Sequence, residues 1–152
     1  MFEVVYYSET GNTRKVAEVI AETLGVTAKD VKTVGTVDPD AFVFLGMGCY
    51  RGELPEEIKE FLRVNRFYNR KIALFTTSAF GAADERRNLE KQLAANGAVI
   101  VRNFKCPGRL LSINTEHPTW LDLKKAAWFA RSAALTLFTP QLETAEFVSV
   151  LS

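Results

Sequence analysis

Short apolar runs limit most what this chain can become. Ala41–Leu45 (Ala-Phe-Val-Phe-Leu) is apolar at every position, and Phe2–Tyr7 (Phe-Glu-Val-Val-Tyr-Tyr) nearly so. Runs this brief, rich in β-branched and aromatic residues, read as strands rather than helices. A strand that is apolar on both faces needs cover on both, as a strand inside a parallel sheet has. Lys71–Thr76 and Ala98–Phe104 repeat the pattern, and Val26–Val34, interspersed with Lys and Asp, reads as an edge strand.

Helical patterns fall between these runs. Val16, Ile20 and Leu24 recur at helical spacing up to Gly25, which suits a C-cap. Pro55, Glu56 and Glu57 suit a helix start, and Ile58, Phe61 and Leu62 give that helix an apolar face. Asp84–Asn96 points Leu89 and Leu93 inward and stops at Gly97. Thr119-Trp120-Leu121-Asp122 has the form of a capping box. The helix it opens is expected to turn Leu123, Ala127, Ala130, Ala134 and Leu137 inward. Alternating strands and helices imply an α/β fold, with a parallel sheet covered on both faces. Right-handed crossovers leave few orders for five strands. Gly35–Asp40 is too short for a crossover helix, so either a compressed turn bridges it or the flanking strand boundaries differ from those read here.

A length of 152 residues suits a single domain over residues 1–152, with its core in 2–137 and a tail at 140–152. The tail holds an apolar stretch, Phe147-Val148-Ser149-Val150-Leu151, that no pattern places. With 19 Lys+Arg against 18 Asp+Glu the net charge is +1, which argues against nucleic acid as a partner. No apolar run approaches the ~20 residues of a membrane helix, and Met1-Phe2-Glu3 lacks the basic opening of a signal peptide. A cytoplasmic protein without membrane insertion is expected. Cys49, Cys106 and a single histidine, His117, support neither a disulfide framework nor a metal site. The strand-end loops hold no acid–base constellation, so no catalytic residue is assigned.

In an open parallel sheet, ligands bind beyond the carboxyl ends of the strands. Three loops lie there: Ser8–Thr13, Gly46–Gly52 and Thr77–Gly81. The first, Ser8-Glu9-Thr10-Gly11-Asn12-Thr13, packs three hydroxyls, an amide and a glycine between a strand and a helix start. Free N–H groups and the positive end of the helix dipole make that an anion site, and hydroxyls add hydrogen bonds to phosphate oxygens. An ordinary N-cap turn uses similar residues. Gly46-x-Gly48 begins like a dinucleotide fingerprint but has Arg51 where the third glycine belongs, so that reading is rejected.

Ser-x-Thr-Gly-Asn-Thr directly after the first strand resembles the FMN-phosphate loop of the flavodoxins. Gly46-Met47-Gly48-Cys49-Tyr50-Arg51-Gly52 and Thr76-Thr77-Ser78-Ala79-Phe80-Gly81 fall where flavodoxins place their second and third flavin loops. Cys106-Pro107-Gly108-Arg109, then His117-Pro118 and Asp122, resemble a pattern of short, stand-alone bacterial members, some associated with flavin-dependent reductases.

The resemblance implies a three-layer sandwich with strand order 2-1-3-4-5. It implies FMN held noncovalently, its phosphate on Ser8–Thr13. The ring would lie between Met47–Gly52 and Thr77–Gly81, with Tyr50 and Phe80 as stacking residues or, alternatively, loop anchors. Gly48–Cys49 is the expected peptide whose carbonyl turns toward the half-reduced ring. Cys49 reads as a small inert loop residue, Cys106 as strand-end packing and His117 as a turn residue. Arg63, Arg66, Arg70 and Lys71 read as a solvated helix end.

Flavodoxins are usually acidic, whereas this chain is neutral. Arg51 beside the flavin loop would raise the potential of the reduced cofactor. The expected function is an electron carrier, monomer or weak dimer, serving a flavin-dependent or iron–sulfur reductase. The alternatives are an FMN-dependent oxidoreductase acting on a quinone or tetrapyrrole, and a binding module without flavin.

Overall fold

A computed structural model describes residues 1–50, 52–79, 84–110 and 114–137. Arg51, Phe80, Gly81 and the tail, to which the sequence assigns roles, lie outside the described residues. Five strands, β1 (Phe2–Tyr7), β2 (Ala28–Asp30), β3 (Phe42–Gly48), β4 (Lys71–Ser78) and β5 (Val99–Pro107), form one sheet. All pair in parallel, in the order β2-β1-β3-β4-β5. Among the described residues five helices connect or follow them: α1 (Asn12–Leu24), α2 (Val31–Val34), α3 (Glu56–Val64), α4 (Asp84–Ala95) and α5 (Trp120–Leu135).

Strand residues alternate between two cores. Val5, Tyr7, Val43, Leu45, Met47, Ile72 and Leu74 meet Ile58, Phe61 and Leu62 of α3 and Leu89 and Leu93 of α4. Val4, Tyr6, Phe42, Phe44, Ala73 and Phe75 meet α1 and α5. The second core matches large to small. Phenylalanines crowd the sheet, while the helices offer Ala17, Ala21, Ala126, Ala130 and Ala133. Such complementarity fills volume at the density a protein interior needs. Gly46 belongs to the same fit, because a Cβ there would come within 1.9 Å of the Phe75 ring.

Several expectations need correction. The edge strand read at Val26–Val34 is only three residues long, because the Asp30 carboxylate accepts a hydrogen bond from the Lys32 amide (2.9 Å) and caps α2. The crossover to β3 therefore starts at Val31, and the short Gly35–Asp40 segment is only its second part. Strands β3, β4 and β5 run on past Leu45, Thr76 and Phe104. Met47, Gly48, Thr77 and Ser78 are ladder residues rather than loop residues, since pairing continues wherever neighbouring backbones stay parallel. In α5 the buried stripe is Asp122, Ala126, Phe129, Ala130 and Ala133, with Leu123 and Leu137 only partly covered. Arg70 is not solvated. It is 5% exposed, its guanidinium lies over the Phe67 ring at 5.6 Å, and its Nε and Nη1 have no hydrogen-bond partner among the described residues.

Candidate functional site

The carboxyl end of β1 leads through Ser8–Gly11 into α1. Gly11 takes a left-handed φ of 88°, open to glycine at little cost, and its N–H donates to Ser8 Oγ (3.1 Å). Gly11 is the N-cap of α1 and no side chain caps the helix. First-turn N–H groups have no partner within a helix, so this end is suited to an anion. Glu9 and Thr10 are exposed, whereas Asn12 and Thr13 are buried at the start of the helix.

Three elements meet there through side chains. Thr13 Oγ1 and Thr77 Oγ1 are 2.8 Å apart in a buried hydrogen bond. The Tyr50 hydroxyl donates to Thr77 Oγ1 (3.1 Å) and accepts from Asn12 Nδ2 (2.8 Å). Asn12 Nδ2 also donates to the Arg109 carbonyl (2.7 Å), which ties α1 to the turn after β5. Gly108 N donates to the Ser78 carbonyl (2.9 Å), and Asn114 Nδ2 to that of Ala79 (3.0 Å), so Gly108 and Asn114 border the end of β4.

In the second loop, Met47 and Cys49 are buried in the core, so only their backbones reach the strand ends. Cys49 N donates to the Thr77 carbonyl (2.7 Å) and pins the Gly48–Cys49 peptide to β4. A flip of that peptide would forfeit this bond, about 0.5–1.5 kcal/mol. Gly52, at φ 86°, donates its N–H to the carboxylate of Glu85. Glu85 is 2% exposed, and the sequence gives no sign of that burial: it reads as an ordinary first-turn acid of α4.

Beside these loops lies a cleft of about 310 Å³, lined among others by Tyr7, Glu9, Tyr50, Glu53, Glu57 and Glu85. Tyr7 donates its hydroxyl to Glu9 Oε1 (2.6 Å). The cleft is acidic although the chain as a whole is neutral. His117 Nδ1 is 2.6 Å from Asp122 Oδ2. The same carboxylate oxygen accepts from Thr119 N (2.7 Å) while Thr119 Oγ1 caps Asp122 N, completing the capping box. Burial raises the pKa of Asp122, but His117 and the Thr119 amide outweigh it and the net shift is downward.

A model of the flavodoxin domain matches residues 3–130, most of the chain. The chain belongs to the flavodoxin family. It is 30% identical to the flavodoxin of Clostridium beijerinckii over 110 residues, covering 65% of this chain and 80% of that one. It is also 30% identical over 136 residues to an uncharacterized protein of Methanocaldococcus jannaschii, covering 80% and 89%. Its fold superposes on a flavodoxin from the domain Archaea with a TM-score of 0.68 at 16% identity, covering 88% of this chain and 95% of that one. The fold and its strand order are those of the flavodoxins.

Flavodoxin family proteins bind FMN, and the residues present fit its phosphate. The flavodoxin loop here has an uncapped helix start, a left-handed glycine and three hydroxyls within one turn. No cluster of His, Cys, Asp and Glu able to hold a metal occurs among the described residues. Nor is any described helix long and apolar enough to cross a membrane.

Proposed function

We propose that this chain holds FMN at the carboxyl edge of its sheet and passes electrons between protein partners. The observation that carries the reading is the uncapped start of α1, framed by Asn12, Thr13 and Thr77 at the ends of β1 and β4. Ser8, Glu9, Thr10, Gly11, Asn12 and Thr13 form the phosphate loop. Met47, Gly48, Cys49, Tyr50, Arg51 and Gly52, with Thr77, Ser78, Ala79, Phe80 and Gly81, form the walls of the site. FMN, when bound, supplies the redox chemistry. The chain binds and orients it, and its buried strands keep water from one side.

Glu53, Glu56 and Glu57 stand together on the cleft side of the second loop. Their negative charge opposes the effect expected from Arg51 alone and disfavours an anionic reduced cofactor. It also suits a partner with Lys or Arg around its own redox centre. A flavin-dependent or iron–sulfur reductase fits this description. The reading places a single domain, monomer or weak dimer, in the cytoplasm, where the buried free thiols of Cys49 and Cys106 stay reduced.

The test is to mix the purified chain with FMN, remove the excess by gel filtration and record the visible spectrum. Stepwise anaerobic reduction follows, with a reductase or a quinone as acceptor. One FMN per chain is expected, with electrons passing to the protein acceptor. Failure to retain FMN at micromolar concentration would overturn the reading. So would turnover of a quinone or tetrapyrrole without any protein partner.

A further inference from the structure

We propose that the outer face of α5 adsorbs to an anionic lipid surface, a property independent of the FMN reading above. The inner face of this helix is spent on the core, through Ala126, Phe129, Ala130 and Ala133. Its outer face is apolar as well. Leu121, Trp128 and Leu135 recur at heptad spacing and are 52%, 71% and 60% exposed, and Trp120 at the helix start is 71% exposed. A single exposed apolar side chain is ordinary. Four large ones on one face of one helix form a patch of the kind that marks an interaction surface.

Charge selects the occupant. Helical periodicity sets Lys124 and Arg131 on one flank of the Leu121–Trp128–Leu135 strip and Lys125 on the other. All three cations are exposed, and Lys124 Nζ lies 4.4 Å from the centre of the Trp120 ring. The one acid of α5, Asp122, is buried, and β5 alongside carries none. Glu18 on the neighbouring α1 is paired with Arg14. A second copy of the chain is therefore a poor partner. A two-fold contact would lay these cations against their own copies, and like charges brought together cost affinity.

An anionic bilayer meets both requirements. Leucine and indole side chains enter the boundary between headgroups and acyl chains, where tryptophan is favoured. Lysine and arginine stems lie along the apolar strip and carry their charges to the lipid phosphates. On the Lys125 flank a groove of about 500 Å³ between α5 and β5, lined by Phe104, Trp128 and Phe129 among others, extends the apolar contact. An acidic protein carries the charge but needs a groove shaped to the convex ridge of a helix, whereas headgroups close around it. α5 lies on such a surface and does not cross it.

Trp120 and Trp128 are the only tryptophans of the chain, so their fluorescence reads occupancy of this face directly. The full chain is titrated with vesicles of phosphatidylcholine, with and without phosphatidylserine, and co-sedimentation measures the bound fraction. The expected result is a blue shift and co-sedimentation with the anionic vesicles but not the neutral ones, weakened at about 1 M salt. Lys125→Gln should lower the affinity about fivefold. Trp128→Ser should no longer co-sediment, with its melting temperature unchanged because the side chain stands mostly outside the fold. No shift with anionic vesicles, or equal binding to neutral ones, would overturn the proposal. Binding that survives both substitutions would place the contact elsewhere and overturn it too. An equal shift produced by poly-glutamate without lipid would assign the face to an acidic protein instead. Self-association without vesicles that Trp128→Ser abolishes would assign it to a second copy.

Discussion

Burial determines the chemistry of single residues more than their neighbours in sequence do. Cys49 follows Gly48 at the edge of a candidate cofactor site, yet it is 1% exposed, and its thiol pKa is pushed up to about 12, chiefly by burial and further by Glu85. Burial likewise pushes Cys106 up to about 12, with Asp122 adding to it. Both thiols are protonated at neutral pH and shielded. A thiol-specific aromatic disulfide should therefore find no rapid reaction in the native chain and two equivalents after unfolding. Fast modification of either thiol in the native state would contradict this account. Phe44 makes the complementary case in the core: it is fully buried, stacks on Phe42 at 5.1 Å and meets Phe129 edge-on at 5.8 Å. Phe44→Ala should lower stability by about 3–5 kcal/mol, measured by urea unfolding. The aromatic character of Tyr50 was legible in the sequence. Its direction was not, because that depends on Gly48 at the end of β3 and Gly108 in the turn after β5, far apart in the chain.

The capping box of α5 could be read because all its parts lie within four residues. Replacing Asp122 by Ala removes the bond to the Thr119 amide and the partner of His117, and should cost about 1 kcal/mol near pH 7. The Asp122 carboxyl is held below its ordinary pKa in the folded chain. Its contribution is therefore complete above the unfolded value and is lost as pH falls through the folded one. The difference between wild type and Asp122→Ala should shrink in acid denaturation below about pH 4, and a constant gap would argue against the assignment. α2 escaped the same local reading. Lys and Asp amid valines fit an edge strand, and the outcome turned on Asp30 choosing to cap the next amides rather than extend the pairing. In α5 the rule that favours Leu over Ala set the inner face one position away. The phenylalanines of the sheet leave room only for alanines and Phe129.

Across the molecule, a net charge of +1 hides a separation of charge. Carboxylates gather at the cleft: Glu9 after β1, Glu53 just before α3, Glu56 and Glu57 on α3, and Glu85 on α4. For association with a basic redox partner, the rate should fall as ionic strength rises, because the Debye length drops from about 10 Å at 0.1 M to about 3 Å at 1 M. Glu53→Lys should slow that association at low salt without changing retained FMN. Stopped-flow measurement across a salt series checks both, and a rate indifferent to salt would mean that the cleft does not steer docking.

The sheet could be foreseen from apolar runs that needed cover on both faces, and the strand order followed from a resemblance carried by three strand-end loops and the later Cys-Pro-Gly-Arg and His-Pro pattern. Both rest on local signals, in which a residue type, its spacing and its immediate neighbours suffice. The rest of the site arises from contacts between residues far apart in the chain. Glu85 reaches Gly52, Asn12 reaches Arg109, and Tyr50 reaches Thr77. None of these contacts leaves a periodic trace, because each is made by one side chain at one point where separate strands end together. Tertiary packing alone decides which polar groups meet at that edge, which are buried without a partner, and where a nearly neutral chain concentrates its negative charge.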